Sequence, residues 1–114
     1  AETIAESLGG SCEFNINPGY PFLVNEEKLT ERVRNYACEY LEQENVLDAD
    51  IWMAAEDFAY YTHKADSCFY LLGVGNGQKG IQSSLHTSEF DIDEDALGIS
   101  TGLMAYMAIK QLGN

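Results

Sequence analysis

Residues 92–112 read Ile92-Asp93-Glu94-Asp95-Ala96-Leu97-Gly98-Ile99-Ser100-Thr101-Gly102-Leu103-Met104-Ala105-Tyr106-Met107-Ala108-Ile109-Lys110-Gln111-Leu112. The stretch predicts one long helix, and its neighbours settle the fold class. Acids at its start suit the positive end of a helix, and Asp91 and Glu94 have capping-box spacing. Leu97, Ile99, Leu103, Met104, Met107, Ile109 and Leu112 lie almost all round its axis, so it packs on more than one side. Gly98 and Gly102 sit one turn apart and let a neighbour approach closely.

Working outward, Gly73, Gly75, Gly77 and Gly80 mark a loop before this helix. Before the loop, Cys68 to Val74 is an apolar run without alternation, typical of a strand covered on both faces. Glu56-Asp57-Phe58 opens a helix running to about His63. A short strand-like piece stands near Asn45 and Val46. Leu29, Val33, Tyr36, Ala37, Tyr40 and Leu41 recur at helical steps and predict an amphipathic helix over Glu26–Gln43, with Asn25 as its N-cap. Ser11 to Asn17 alternates Cys12, Phe14 and Ile16 against polar residues, the period of a half-buried strand. Asn17-Pro18-Gly19 is a turn, and Pro21 keeps Tyr20–Val24 out of a central strand. Ahead of these, Glu2 to Leu8 forms a short helix stopped by Gly9-Gly10. The order of elements is helix, strand, helix, strand, helix, strand, helix, and the fold class is α/β.

The chain has 114 residues and a net charge of −13, from 6 basic and 19 acidic side chains. That sign argues against nucleic acid and against an anionic membrane surface as partners. Hydrophobic residues make up 46 %, enough for a core and too many for a disordered chain. No apolar run reaches the roughly 18 residues a membrane span needs. No signal-peptide pattern opens the chain, and it begins at Ala1, as a processed, trimmed or excised product would, or equally a chain that has lost its initiator Met. Cys12, Cys38 and Cys68 are too few and too far apart for a disulfide framework. They read as reduced, mostly buried thiols of a cytoplasmic protein.

Several patterns carry possible chemistry. Gly73-Val74-Gly75-Asn76-Gly77-Gln78 lacks the third glycine of a dinucleotide fingerprint and precedes no helix directly. It is either a loop whose backbone N–H groups approach a ligand or a plain flexible connection. Asp91 to Asp95 resembles the start of a calcium loop, but Ala96 and Gly102 stand where that loop needs Gly and Glu. Glu56-Asp57 offers a carboxylate for acid–base work, or simply acids in a first helical turn. His63 reads as solvated beside Lys64. His86, between Ser83-Ser84-Leu85 and Thr87-Ser88-Glu89-Phe90, reads as structural or as a metal ligand.

Met53-Ala54-Ala55-Glu56-Asp57-Phe58-Ala59, Phe69 to Gly75, Leu85-His86-Thr87 and Phe90-Asp91-Ile92-Asp93-Glu94 occur in order before an apolar terminal helix. From Ile4 to Leu112 this set resembles the C-terminal part of the metal-dependent amidohydrolases of the aminoacylase, hippurate hydrolase and carboxypeptidase group. The resemblance implies a zinc-peptidase-like α/β catalytic domain with an inserted lid. Residues 1–17 would end the lid or dimerisation domain, and residues 18–114 would be the closing part of the catalytic domain. It implies that His86 is a metal ligand, that Glu56 and Asp57 position groups near the site, and that Gly73 and Gly75 lie beside the substrate carboxylate. The implied cofactor is a divalent metal (zinc, manganese, cobalt or nickel), and the implied substrate an N-acyl amino acid or small peptide.

The family's other ligands and its general base lie in earlier motifs. This chain has no His-Ala-Cys-Gly-His segment, and Glu26-Glu27 merely begins a helix. Alone it is therefore expected to be an inactive fragment that binds metal weakly or not at all. Its bare apolar faces predict a homo-oligomer. A non-catalytic binding or assembly domain of the same fold is the alternative reading.

Overall fold

Glu26, not Asn25, caps the amphipathic helix in the computed structural model, which describes residues 1–113. Its carboxylate accepts from the N–H of Lys28 (3.1 Å) and of Leu29 (2.7 Å). Those backbone bonds, Leu29 first, hold the Glu26 pKa below its ordinary value. The helices are α1 (Glu2–Ser7), α2 (Glu27–Leu41), α3 (Ala59–Thr62) and α4 (Asp95–Leu112). Short 3-10 turns lie at Gln43–Asn45 and Gly77–Lys79, so where a strand is expected near Asn45 and Val46 a helical turn takes in Asn45, and Val46 alone is extended. α2 ends where Glu42 takes φ +70, and the Asn45 side chain donates to the Leu41 carbonyl at 2.7 Å. α1 ends at Gly9, whose φ of +78 suits a residue without Cβ.

The core is the seam between α2 and α4. Tyr36, Leu103 and Met107 are buried together there, with Val33, Ala37, Leu41, Tyr70 and Tyr106 packed around them. Of the two α4 glycines, Gly102 receives Tyr40, whose hydroxyl fills the space a methyl group would need. Gly98 has no heavy atom near enough to touch an added Cβ. At the far end of the seam, Glu39 accepts from Tyr106 and pairs with Lys110, each at 2.7 Å. The capping box at the start of α4 does not form. Asp91 instead accepts from the N–H of Ile92 (2.8 Å), and Asp93 accepts from that of Asp95 (3.3 Å).

Ser11–Asn17 and Cys68–Val74 pair with no strand among the described residues. The β-type pairing found there is one isolated antiparallel bridge between Asn76 and Ile81. A strand needs a neighbour to satisfy its backbone, and none is supplied. Asn25 takes that place for Phe69, bonding both its N–H and its carbonyl. The radius of gyration is 20.8 Å, against about 13 Å for a compact domain of this length. The accessible surface is 9566 Å², where roughly 6,200 Å² is usual for this mass. Large apolar side chains such as Phe22, Leu47, Ile51, Trp52 and Met53 consequently stand in solvent. All three cysteines are free; Cys12 is exposed and the other two half-buried, rather than buried as expected. Among the described residues no helix is long and apolar enough to cross a membrane.

Candidate functional site

Asn76 organises the glycine loop. Its N–H donates to the Ile81 carbonyl (2.8 Å), and the Ile81 N–H donates back (2.9 Å). Its Oδ1 accepts from the N–H of Gln78 (3.0 Å) and of Lys79 (3.3 Å), an Asx arrangement that sets the 3-10 turn. Its Nδ2 donates to Asp93 Oδ2 at 2.6 Å. Asp93 also accepts from Lys79 Nζ (2.6 Å), and Lys79 reaches Asp95 at 2.8 Å. The Asp93 N–H donates to the Val74 carbonyl (2.8 Å), so the loop and the start of α4 are tied through backbone and side chains.

These contacts set the charges. Lys79, then Asn76, hold the Asp93 carboxyl down to about 2. The paired carboxylates of Asp93 and Asp95 push the Lys79 ammonium above its ordinary value.

Gly73 and Gly75 lie on the exposed segment entering this turn. A Cβ on Gly75 would come to 3.3 Å from the Ile81 carbonyl, whereas Gly73 faces open space. His86 lies beyond Ile81, exposed, in a turn where its φ is +63. That left-handed conformation is uncommon for a residue with a side chain. Around it Thr87 Oγ1 donates to the Ser84 carbonyl (2.8 Å), and the Phe90 N–H to the Thr87 carbonyl (3.3 Å).

Glu56 and Asp57 are elsewhere. Glu56 Oε1 accepts from the Phe58 N–H at 3.0 Å, and the carbonyls of Glu56 and Asp57 accept from Ala59 and Tyr60. They shape the turn into α3, and no hydrogen bond or ion pair joins them to His86. His63 is exposed, as expected. Its Nε2 donates to the Phe22 carbonyl at 3.2 Å, and its ring lies 5.2 Å from that of Phe22.

As a metal centre the donors fit in kind but not in number. His86 presents one accessible imidazole, while a catalytic zinc needs about three protein ligands. Among the described residues no three His, Cys, Asp or Glu side chains gather to hold an ion. Asn76, Lys79 and Asp93 escaped sequence reading as a group. The one available signal was Asn before Gly-Gln-Lys-Gly, a turn former whose distant partner no spacing reveals.

A family model described as Peptidase family M20/M25/M40 matches residues 2–110. The chain is 31 % identical over 109 residues to the Thermostable carboxypeptidase 2 of Saccharolobus solfataricus, covering 95 % of this chain and 27 % of that protein. It is 29 % identical over 98 residues to the IAA-amino acid hydrolase ILR1-like 6 of Arabidopsis thaliana, covering 86 % of this chain and 21 % of that protein. The chain thus spans about a quarter of the length of these curated relatives. No solved structure matches it significantly.

Proposed function

Because this chain belongs to peptidase family M20/M25/M40, we propose that it is part of a divalent-metal-dependent hydrolase cleaving the amide bond of N-acyl amino acids or small peptides. The observation that carries this reading is the family match over residues 2–110. It is supported by relatives named as a thermostable carboxypeptidase and an IAA-amino acid hydrolase. In this reading residues 1–17 end a lid domain and residues 18–114 belong to an α/β catalytic domain. Cys68–Val74 takes its place in a sheet built with strands outside this segment. The unpaired thiols support a cytoplasmic location.

The chemistry divides between this chain and the rest of such an enzyme. A bound zinc, manganese, cobalt or nickel ion would polarise the scissile carbonyl and lower the pKa of a bound water. His86 is the residue of this chain that would help to hold it. The exposed backbone at Gly73 and Gly75 would lie against the substrate carboxylate, and Glu56 and Asp57 would act by shaping the turn into α3. The general base belongs to the rest of the enzyme, so the 114-residue chain alone is an inactive fragment.

The test uses the longest reading frame that contains this segment, assayed on an N-acyl amino acid and a dipeptide. Hydrolysis that is lost on chelation, and that falls more than about 100-fold in His86→Ala, is expected. Full activity in His86→Ala overturns the role of His86. Chelator-sensitive hydrolysis by the 114-residue chain overturns the fragment reading. A long frame without any hydrolysis supports the non-catalytic binding or assembly domain.

A further inference from the structure

The segment from Gln82 to Asp91 is exposed throughout, and its own hydrogen bonds are short-range. Its large apolar side chains, Leu85 and Phe90, are only about half covered, so its position depends on where it joins the fold. Both junctions are tied to the same few residues. At one end Ile81 exchanges two backbone hydrogen bonds with Asn76. At the other, Asp93 donates its N–H to Val74 and receives Asn76 Nδ2 and Lys79 Nζ on its two carboxylate oxygens. The Asp93 side chain is only 13 % exposed, so water poorly replaces either partner. An ordinary surface ion pair contributes little; this one clasps two chain segments that are remote in sequence and closes a loop.

We propose that Asn76, Lys79 and Asp93 form a latch that closes the base of the 82–91 loop and so sets where His86 stands. They are positioning residues for the hydrolysis proposed above, and this part of the inference rests on that reading. Each bond has a separate task. The Asn76 carbonyl oxygen folds the Gly77–Lys79 turn, which delivers Lys79, and its amide and Lys79 together hold the Asp93 carboxylate from both sides. Removing one side leaves a shielded carboxylate half-satisfied.

Two measurements test the latch separately from the catalytic reading. In the 114-residue chain, Asp93→Ala and Asn76→Asp should lower the backbone order parameters at 82–90 below about 0.6, leaving those of α2 and α4 near 0.85. Lys79→Met should do the same, and Lys79→Arg should restore order. Unchanged order in all three disruptive variants overturns the latch. In the active long chain, the same substitutions should lower kcat about tenfold or more with KM within about twofold, again rescued by Lys79→Arg. A loosened loop with unchanged kcat overturns the positioning role. Retained activity in His86→Ala overturns the role of His86 and leaves the latch standing.

Discussion

The carboxamide of Asn25 meets both backbone polar groups of Phe69. Nδ2 donates to the carbonyl at 2.8 Å, and Oδ1 accepts from the N–H at 2.7 Å. Beside it the Glu26 N–H donates to the Ser67 carbonyl at 2.9 Å. One side chain thus stands in for a strand and docks the apolar 68–74 segment on the start of α2. Asn25→Ala leaves both groups of Phe69 without these partners in a half-buried place, and should cost about 1–3 kcal/mol. Asn25→Asp keeps the acceptor but turns a carboxylate toward a carbonyl, and should cost at least as much. Urea unfolding of the three proteins checks this; equal midpoints would show the bond pair to be dispensable.

The two α4 glycines should respond in opposite directions. Gly98→Ala adds a methyl group into open space and removes a helix-weakening residue, a gain of about 0.5–1 kcal/mol. Gly102→Ala drives its methyl into the Tyr40 hydroxyl and ring, and the strain should exceed that gain, for a net loss of about 1–2 kcal/mol. In a Tyr40→Ala background the obstacle is gone, and Gly102→Ala should become stabilising. Thermal unfolding of the four variants decides the matter, and equal gains at both glycines in the parent chain would refute the close approach.

How far these relationships were legible depends on their range. α2 and α4 could be read because helical periodicity is local, and Leu103 and Met107 stand where the apolar pattern put them. The cap of α2 was misplaced by one residue because Asn25 and Glu26 are both capable acceptors. Which one turns inward is decided by Phe69, 44 residues away. Cys68–Val74 has the composition of a covered strand, but composition cannot provide the neighbour that covers it. Asp93 looked like part of an acidic helix start, and its true partners, Asn76 and Lys79, are joined to it only by folding. His86 was marked by type and resemblance; its left-handed backbone could not be read from sequence.

The latch should open in acid and not near neutrality. Asp93 is held at about 2, below its ordinary 3.8, by Lys79 and Asn76, with Asp95 the other carboxylate facing Lys79. A lowered folded-state pKa stabilises fully above about pH 4, and that contribution is lost as pH falls toward 2. Lys79 is raised, so its contribution persists below the ordinary lysine value of 10.5 and disappears only as pH rises beyond it. Following the Asp93 side-chain carbon by NMR should give a midpoint near 2 in the parent chain. Lys79→Met should move it up toward the ordinary carboxylate range, and added salt should move it the same way. A midpoint indifferent to Lys79 would remove the ion pair from the latch.

Self-association of the 114-residue chain should rise with salt. Leu47, Ile51, Trp52 and Met53 lie exposed in one short stretch, and Phe14, Ile16, Phe22 and Val24 in another. Apolar surface of this kind drives association. Opposing it is the net charge of −13, which repels a second copy over distances comparable to the Debye length. Raising the ionic strength from about 0.01 M to 1 M shortens that length from about 30 Å to about 3 Å, so that apolar burial outweighs the remaining repulsion. Light scattering at both salt concentrations should therefore show dimers or larger species growing with salt. Association held together mainly by charge would weaken instead, and a monomer at high protein and high salt would show that these apolar side chains do not drive association.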